Sequence, residues 1–326
     1  MNKYLFNIRA FDSVINATTS STTGNDLAPE IKEFYSEYLI KLAEAKLVHN
    51  QFGQSHPIPA GSGKTIEFRK FTPLAKITDA LVEGVTPDGQ ALDTSALTAT
   101  VKQYGGYVII SDLLELTAKD NVKNEATELI GSQAGRSLDT VVREILNAGT
   151  NVQYHEGEVT GGRSALTADN TLTVKAIRKA VKTLKAADAE YYDDSFVGII
   201  HPNVSYDLMS DPAWVDWQKY TSPEHMYQNE IGKIAGVRFV ETTEAKVFAG
   251  AGSGGVDVYS TLIIAKNAYG VTDITGGGMQ LIVKQKGSGG TSDPLDQRST
   301  IGWKATKTAE RLVEDYMVRI ETGASE

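Results

Sequence analysis

The chain has 326 residues, 41% of them hydrophobic and 22% charged, enough for a sizeable core in two domains or one large domain with extensions. It has no cysteine, which excludes a disulfide framework, a thiolate metal site, an iron–sulfur cluster and a cysteine nucleophile. Its formal net charge of −9 argues against general nucleic-acid binding, because a duplex-binding surface needs excess Lys and Arg to displace counterions.

No apolar run approaches the ~20 residues of a membrane helix. The start, Met1–Arg9, has no apolar core of a signal peptide. The expected setting is therefore a cytoplasm, with no membrane partner. In chain order, residues 1–25 fold poorly alone and end in the polar tract Thr18–Gly24. A helix is predicted from Pro29 to His49. Pro29 suits a first turn, and Glu30 and Glu33 complement the helix N-terminus. Ile31, Phe34, Tyr35, Tyr38, Leu42 and Ala45 form its apolar stripe. This reads as an arm carrying an amphipathic helix, packed on its own core or on a neighbour.

From Ser55 to Ser111 the period changes. Ile66 and Phe68 alternate with Glu67 and Arg69, and Leu97, Ala99 and Val101 alternate with Thr98, Thr100 and Lys102. Between these strands lie Pro73, Gly84, Pro87 and Gly89 with Asp79, Glu83, Asp88 and Asp93. The pattern predicts a protruding hairpin with a long acidic tip. Such a hairpin buries little of itself and is marginal unless packed on a partner. It points to assembly, although an active-site lid has the same pattern.

Asp120 to Ala148 is the strongest periodic segment. Val122, Ala126, Leu129, Ile130, Ala134, Leu138, Val141, Val142, Ile145 and Leu146 predict a helix on the order of 40 Å long. Asp120 or Asn121 can cap its start and Gly149 its end. Gly131 and Gly135 inside it predict a kink or a close backbone contact. Thr173 is then expected to cap a helix with the stripe Val174, Ile177, Val181 and Leu184. Phe196–Ile200 reads as a strand stopped by His201-Pro202. A short helix around Val204–Met209 follows. Ile234–Val240, Thr261–Ala265 and Met279–Val283 are strand-like, and Ser299–Thr322 reads mainly as strand. Eleven of the 30 glycines fall between Gly250 and Gly290, so the links there are loops. The fold class is α+β, with no internal repeat.

Several motifs look chemical and fail. Ala60-Gly61-Ser62-Gly63-Lys64-Thr65 resembles a phosphate-binding loop, but Ile58 stands where its first glycine belongs and a strand pattern follows. Gly250, Gly252 and Gly255 have dinucleotide spacing but lead into a strand, not a helix. His49, His56, His155, His201 and His225 include no pair at metal-ligand spacing. Asp193-Asp194, and Asp211 with Asp216, fit solvated loop carboxylates better than acid–base pairs. No catalytic, cofactor or metal residue is assigned.

Three stretches carry a family resemblance. Leu81–Gln90, continued by Thr98–Tyr107 and Ser111-Asp112, looks like an extended-loop hairpin and its return strand. Asn229–Thr243 is similar to a strand stretch of an axial domain. Asp293–Lys304, ending in Met317–Ile320, looks like a closing strand. In this order they resemble the major capsid proteins of tailed double-stranded DNA bacteriophages, over about four-fifths of the chain. The resemblance implies a non-enzymatic shell subunit that needs no cofactor. It further implies an N-terminal arm (1–54), an extended hairpin (55–111), a peripheral domain with a spine helix (112–170), an axial domain (171–285) and a return strand of the peripheral domain (286–326).

The resemblance also implies partners. These are many copies of the same chain in pentamers and hexamers of an icosahedral head, a portal and decoration proteins. The head encloses DNA without sequence-specific binding and is assembled in the bacterial host cytoplasm. Only about 25 residues that fold poorly alone precede the first predicted helix, so a separate scaffolding protein is expected. Lys64, Lys70 and Lys76 lie near the hairpin but match no crosslinking role, and no covalent crosslink is expected. Candidate contacts between subunits are Arg69, Lys70 and Lys76 as cations, Asp79, Glu83 and Asp88 as anions, and Phe34 and Tyr38 on the arm. Two other readings stay open at this level: a bacterial compartment shell of the same fold, and an enzyme with a lid.

Overall fold

The computed structural model describes Ala43, residues 47–119 except 72–73, 79, 81–82, 85 and 87, residues 122–218 except 158, and residues 230–325 except 291–292. Its strands are β1 (Gln54–Ser55), β2 (Thr65–Phe71), β3 (Thr94–Thr100), β4 (Lys102–Ser111), β5 (Val152–Tyr154), β6 (Phe196–Ile200), β7 (Glu230–Ile234), β8 (Val237–Glu241), β9 (Val247–Phe248), β10 (Val258–Ile264), β11 (Tyr269–Thr272), β12 (Gln280–Lys284), β13 (Arg298–Arg311) and β14 (Met317–Thr322). Its helices are α1 (Asp112–Thr117), α2 (Val122–Asn147), α3 (Val174–Ala186), α4 (Pro202–Ser210) and α5 (Pro212–Gln218).

Among the described residues there are three sheets. β2 and β3 form an antiparallel ribbon. β13 is the centre of a five-stranded sheet. It pairs with β4 from Arg298 to Lys307, with β12 from Thr300 to Lys304 and with β11 from Thr308 to Arg311, and β1 joins β11 in parallel. A seven-stranded sheet runs β5-β14-β10-β6-β8-β7, with β9 on β10. The spine helix α2 serves both large sheets. Ala126, Ile130, Ala134 and Leu138 pack on Ile110, Ile301, Trp303 and Ala305 of the first. Val142 and Leu146 pack with Val197, Ile199, Val240, Leu262 and Ile264 of the second. The other face of the second sheet carries α3, through Val174, Ile177, Val181 and Leu184 against Phe196, Ile200, Phe239, Ile263 and Val318. With both faces covered, β6 is buried at all five positions instead of alternating.

The Thr173 cap is present: its hydroxyl accepts the Ala176 N–H at 3.2 Å. Other expectations are corrected. The Pro29–His49 helix lies largely outside the described residues. Ala43 is helical, but residues 48–50 form a turn. The buried Asp139 on α2 draws the chain out of helix there, accepting the His49 N–H at 2.8 Å and contacting the His49 ring Nδ1 at 2.7 Å. The Tyr269 hydroxyl donates to the His49 carbonyl at 2.5 Å. Asp120 and Asn121 lie outside the described residues. α2 runs unbroken through Gly131 and Gly135, which sit on its buried face, and Leu129 is 69% exposed rather than part of the stripe. The run Ile234–Val240 is two strands joined at Ala235 and Gly236, both at positive φ (51° and 83°). Ser299–Thr322 divides as well. β13 stays with β4, whereas β14 crosses into the seven-stranded sheet beside β10 and β5. The expected return strand thus ties the two sheets together.

Side chains from distant strands clamp the C-terminal end of α2. Its last carbonyls lack partners within the helix. Arg311 Nη1 donates to the Ile145 carbonyl at 2.8 Å, and Arg319 Nη1 donates to that of Asn147. Glu314 holds Arg311 at 2.9 Å and accepts the Thr150 N–H. Burial alone would raise the Glu314 carboxyl. The Thr150 amide and the Arg311 charge outweigh it and hold the group below the ordinary glutamate value of 4.5. Glu144 is lowered in the same way, with Lys246 and Arg143 outweighing burial. A depressed folded-state value means stability that is present above pH 4.5 and lost as pH falls through the folded value. The denaturation midpoint should therefore fall on acidification below that point, and Glu314→Gln should flatten the decline. A midpoint independent of pH across this range would contradict the clamp.

Candidate assembly surfaces

The hairpin is anchored at its base, and the described residues toward its tip are exposed. The expectation that it buries little within its own subunit fails at the base, where Phe68 is buried. Phe68 is buried beside His56, with ring centroids 5.8 Å apart, and against the backbone of Gly270. A Cβ at Gly270 would stand 2.8 Å from Phe68 Cε1 and 2.9 Å from Cζ. Gly270→Ala should thus displace the ring, cost about 1–3 kcal/mol and speed amide exchange across β2 and β3. Unchanged exchange there would rule out this anchor. The expected return strand Thr98–Tyr107 breaks at the buried Val101, whose N–H donates to the Lys64 carbonyl at 2.8 Å. Its first part stays on the hairpin as β3, and its second becomes β4 of the five-stranded sheet.

Toward the tip, Leu74, Ile77 (75% exposed) and Leu92 (70% exposed) face solvent. Glu83, Asp88 and Asp93 are exposed around them, as is Lys76. Arg69 is exposed and pairs with Glu67 of its own strand at 2.9 Å. Lys70 is placed in β2, but its side chain, together with Asp79, Phe34 and Tyr38, lies outside the described residues.

A second surface lies on the five-stranded sheet. Residues of β13 alternate faces. Ile301, Trp303 and Ala305 meet α2, so Thr300, Gly302 and Lys304 point the other way. The pairing register puts Tyr107 and Ile109 of β4, and Ile282 and Lys284 of β12, on that same outer face. Among the described residues no helix covers it. Tyr107 is 69% exposed, and Ile109 and Ile282 are also open. Tyr107 lies across Gly302, where a Cβ would come within 2.8 Å of its own Cβ. The face bounds an open cavity of about 710 Å³ whose cations are Lys284, Lys304 and Arg298, with Asp293 the acidic residue. The sequence signal was the alternation Tyr107, Ile109 within a run read only as a return strand.

A third apolar patch is formed by Leu113, Leu114 and Leu116, all exposed on α1. Ser111 caps this helix, accepting the Leu114 N–H at 3.3 Å. Glu115 bridges Lys123 at 2.6 Å and Lys286 at 3.2 Å, and the Lys123 hydrogen bond leads in holding its carboxyl below the usual glutamate range.

The lookalike motifs have structural roles. Gly61–Gly63 turn into β2, with no helix following. Asp211 accepts the Val174 and Ala213 N–H groups at 3.0 and 2.8 Å. Asp194 pairs with Lys233 at 2.5 Å. His201 caps α4 through Nδ1, which accepts the Asn203 N–H at 3.2 Å.

Residues 107–278 match the family described as phage capsid protein. The chain belongs to that family. This capsid protein is similar in structure to the capsid subunit of cyanophage Pam1, with a TM-score of 0.68 and 17% identity over 97% of this chain and 99% of that one. It is also similar to the capsid of Ralstonia phage GP4, with a TM-score of 0.66 and 14% identity over 85% and 88% of the two chains. A virus-like particle from Pyrococcus furiosus shares the fold at a TM-score of 0.52 and 11% identity, over 89% and 99%. No curated protein matches the sequence significantly. The capsid protein is thus an α+β structural subunit of the phage shell, one of many copies in the virion, and the compartment reading is not favoured.

Proposed function

We propose that copies of this chain form rings of five and six that close an icosahedral head around double-stranded DNA, with the hairpin of each subunit seated on the open sheet face of its neighbour. One observation carries this reading. The chain holds two complementary surfaces that stay exposed within the subunit: the apolar, acidic tip around Ile77 and Leu92, and the apolar, cationic face around Tyr107, Ile109 and Lys304. A contact between two different patches is head-to-tail, and it closes into rings when the rotation fits. Each contact can be weak, because several form at once around a ring and their effects multiply.

Glu83, Asp88 and Asp79 are the proposed anions of this contact and Lys284 and Lys304 the cations. Arg69, Lys70, Lys76, Phe34 and Tyr38 are further proposed contacts. The proposal includes a separate scaffolding protein, a portal, decoration proteins, assembly in the host cytoplasm and no enzymatic activity. Electron microscopy of the full chain, produced with and without a scaffolding protein, tests it. Closed hollow shells are expected, and a stable monomer under both conditions would overturn the reading.

A further inference from the structure

The acidic chain carries one concentrated basic strip. α3 contains Lys175, Arg178, Lys179, Lys182 and Lys185 and no acidic residue. Its buried face holds Val174, Ile177, Val181 and Leu184, so the cations all stand on the opposite, solvent face. The N-terminal half is partly engaged: Lys175 pairs with Glu156, and Lys179 donates to the Glu156 carbonyl at 3.2 Å. Arg178, Lys182 and Lys185 have no acidic partner among the described residues. They line an open cavity of about 420 Å³ together with Val181, Ile234 and Ala235. Lys185 lies 6.0 Å from the Tyr191 ring centroid. Asp188 and Glu190 come only after the helix ends.

We infer that this face of α3 binds the phosphate backbone of DNA, without reading its sequence. Arg178, Lys182 and Lys185 follow the i, i+4, i+7 spacing of one helix side, so the strip is about 10 Å long. A duplex presents about one charge per 1.7 Å of its axis, and a strip of this length spans several phosphates. The exposed helix positions beside the cations are Thr183 and Ala186, and the nearby Tyr191 ring packs on Phe196, with centroids 4.4 Å apart. Protein interfaces deplete lysine at their centres and place apolar and aromatic anchors there. A polyphosphate needs only the charge. The net −9 excludes a protein that grips a duplex over its whole surface, but it allows a local strip. Many such strips lining one container would add up although each is weak. The inference deepens the shell reading by naming where the enclosed DNA touches the wall.

The test is a titration of a fluorescent duplex of arbitrary sequence with the full-length, unassembled protein, followed by anisotropy across a tenfold range of salt. It reads α3 whether or not shells form, so it fails separately from the shell reading. Three phosphate contacts predict a slope of log K against log salt near −2.7, or about 500-fold weaker binding over that range. The variant Arg178→Gln/Lys182→Gln/Lys185→Gln should lose that slope, and Lys182→Gln alone should reduce it to about −1.8. Removing cations near the hairpin base with Lys64→Gln/Lys102→Gln should leave it unchanged. Equal binding by the triple variant, or no salt-dependent binding by the parent chain, would overturn the inference. Binding of poly-glutamate as tight as that of the duplex would assign the face to an acidic protein segment and overturn it equally.

Discussion

Glu321→Ala should lower the stability of the subunit by about 3–5 kcal/mol, the cost of removing one member of a buried ion pair. Glu321 is fully buried on β14. Arg163 reaches it with two hydrogen bonds of 2.7 Å, from Nε and Nη2. Arg319 approaches it through Nε at 2.8 Å, an ionic contact without hydrogen-bond alignment. The Arg163 guanidinium also lies 3.4 Å above the centre of the Phe248 ring. Without the carboxylate, Arg163 can turn toward water, because it is partly exposed. Arg319 cannot, because its other end is held at the Asn147 carbonyl that closes the spine helix. The loss should spread from β14 to the end of α2. Glu321→Gln keeps acceptors for both arginines and should recover part of the loss. Chemical denaturation of the two variants measures this. A change of less than about 0.5 kcal/mol for Glu321→Ala would put the site among ordinary surface positions and refute the role given to it.

The hairpin substitution Ile77→Lys/Leu92→Lys should abolish shells while leaving the isolated subunit as stable as before. Both side chains are exposed within the subunit, so their loss removes no internal packing. In the proposed contact each would bury an apolar side chain, worth about 1.5–3 kcal/mol. Losing both weakens every contact by more than about 100-fold. The added charges also face Lys284 and Lys304, where like charges repel. Lys304→Glu should then restore part of the particle yield in the same chain. Particle yield by sedimentation and subunit melting measure the two halves of this prediction. Unchanged yield would remove the tip from the interface, and a lowered melting temperature would show that the tip packs within its own subunit.

Elements with strong local signals were legible in the sequence. The stripe of α2, the alternation of β2 and β3 and the Thr173 cap each depend on neighbours within a few residues. The order of hairpin, spine helix and strand block carried the resemblance to phage capsid proteins. What was hidden depends on partners far away. Nothing between Arg311 and Met317 marks a break by Gly or Pro, so β13 and β14 read as one strand. The break is made by the Leu312 and Val313 N–H groups, which both donate to the Ala268 carbonyl. Arg163 and Glu321 are 158 residues apart, and no local pattern predicts their meeting. His49 continued a helical pattern until Asp139, 90 residues on, claimed its amide. The open sheet face was hidden because burial on one side only appears once α2 is known to cover the other.

The most direct measurement is an electron-microscopy map of assembled particles at a resolution that traces the hairpin. The account requires the tip bearing Ile77 and Leu92 to lie on the Tyr107, Ile109 and Ile282 face of an adjacent subunit. A closed shell in which that face stays open to solvent, or in which the tip folds onto its own subunit, would contradict it.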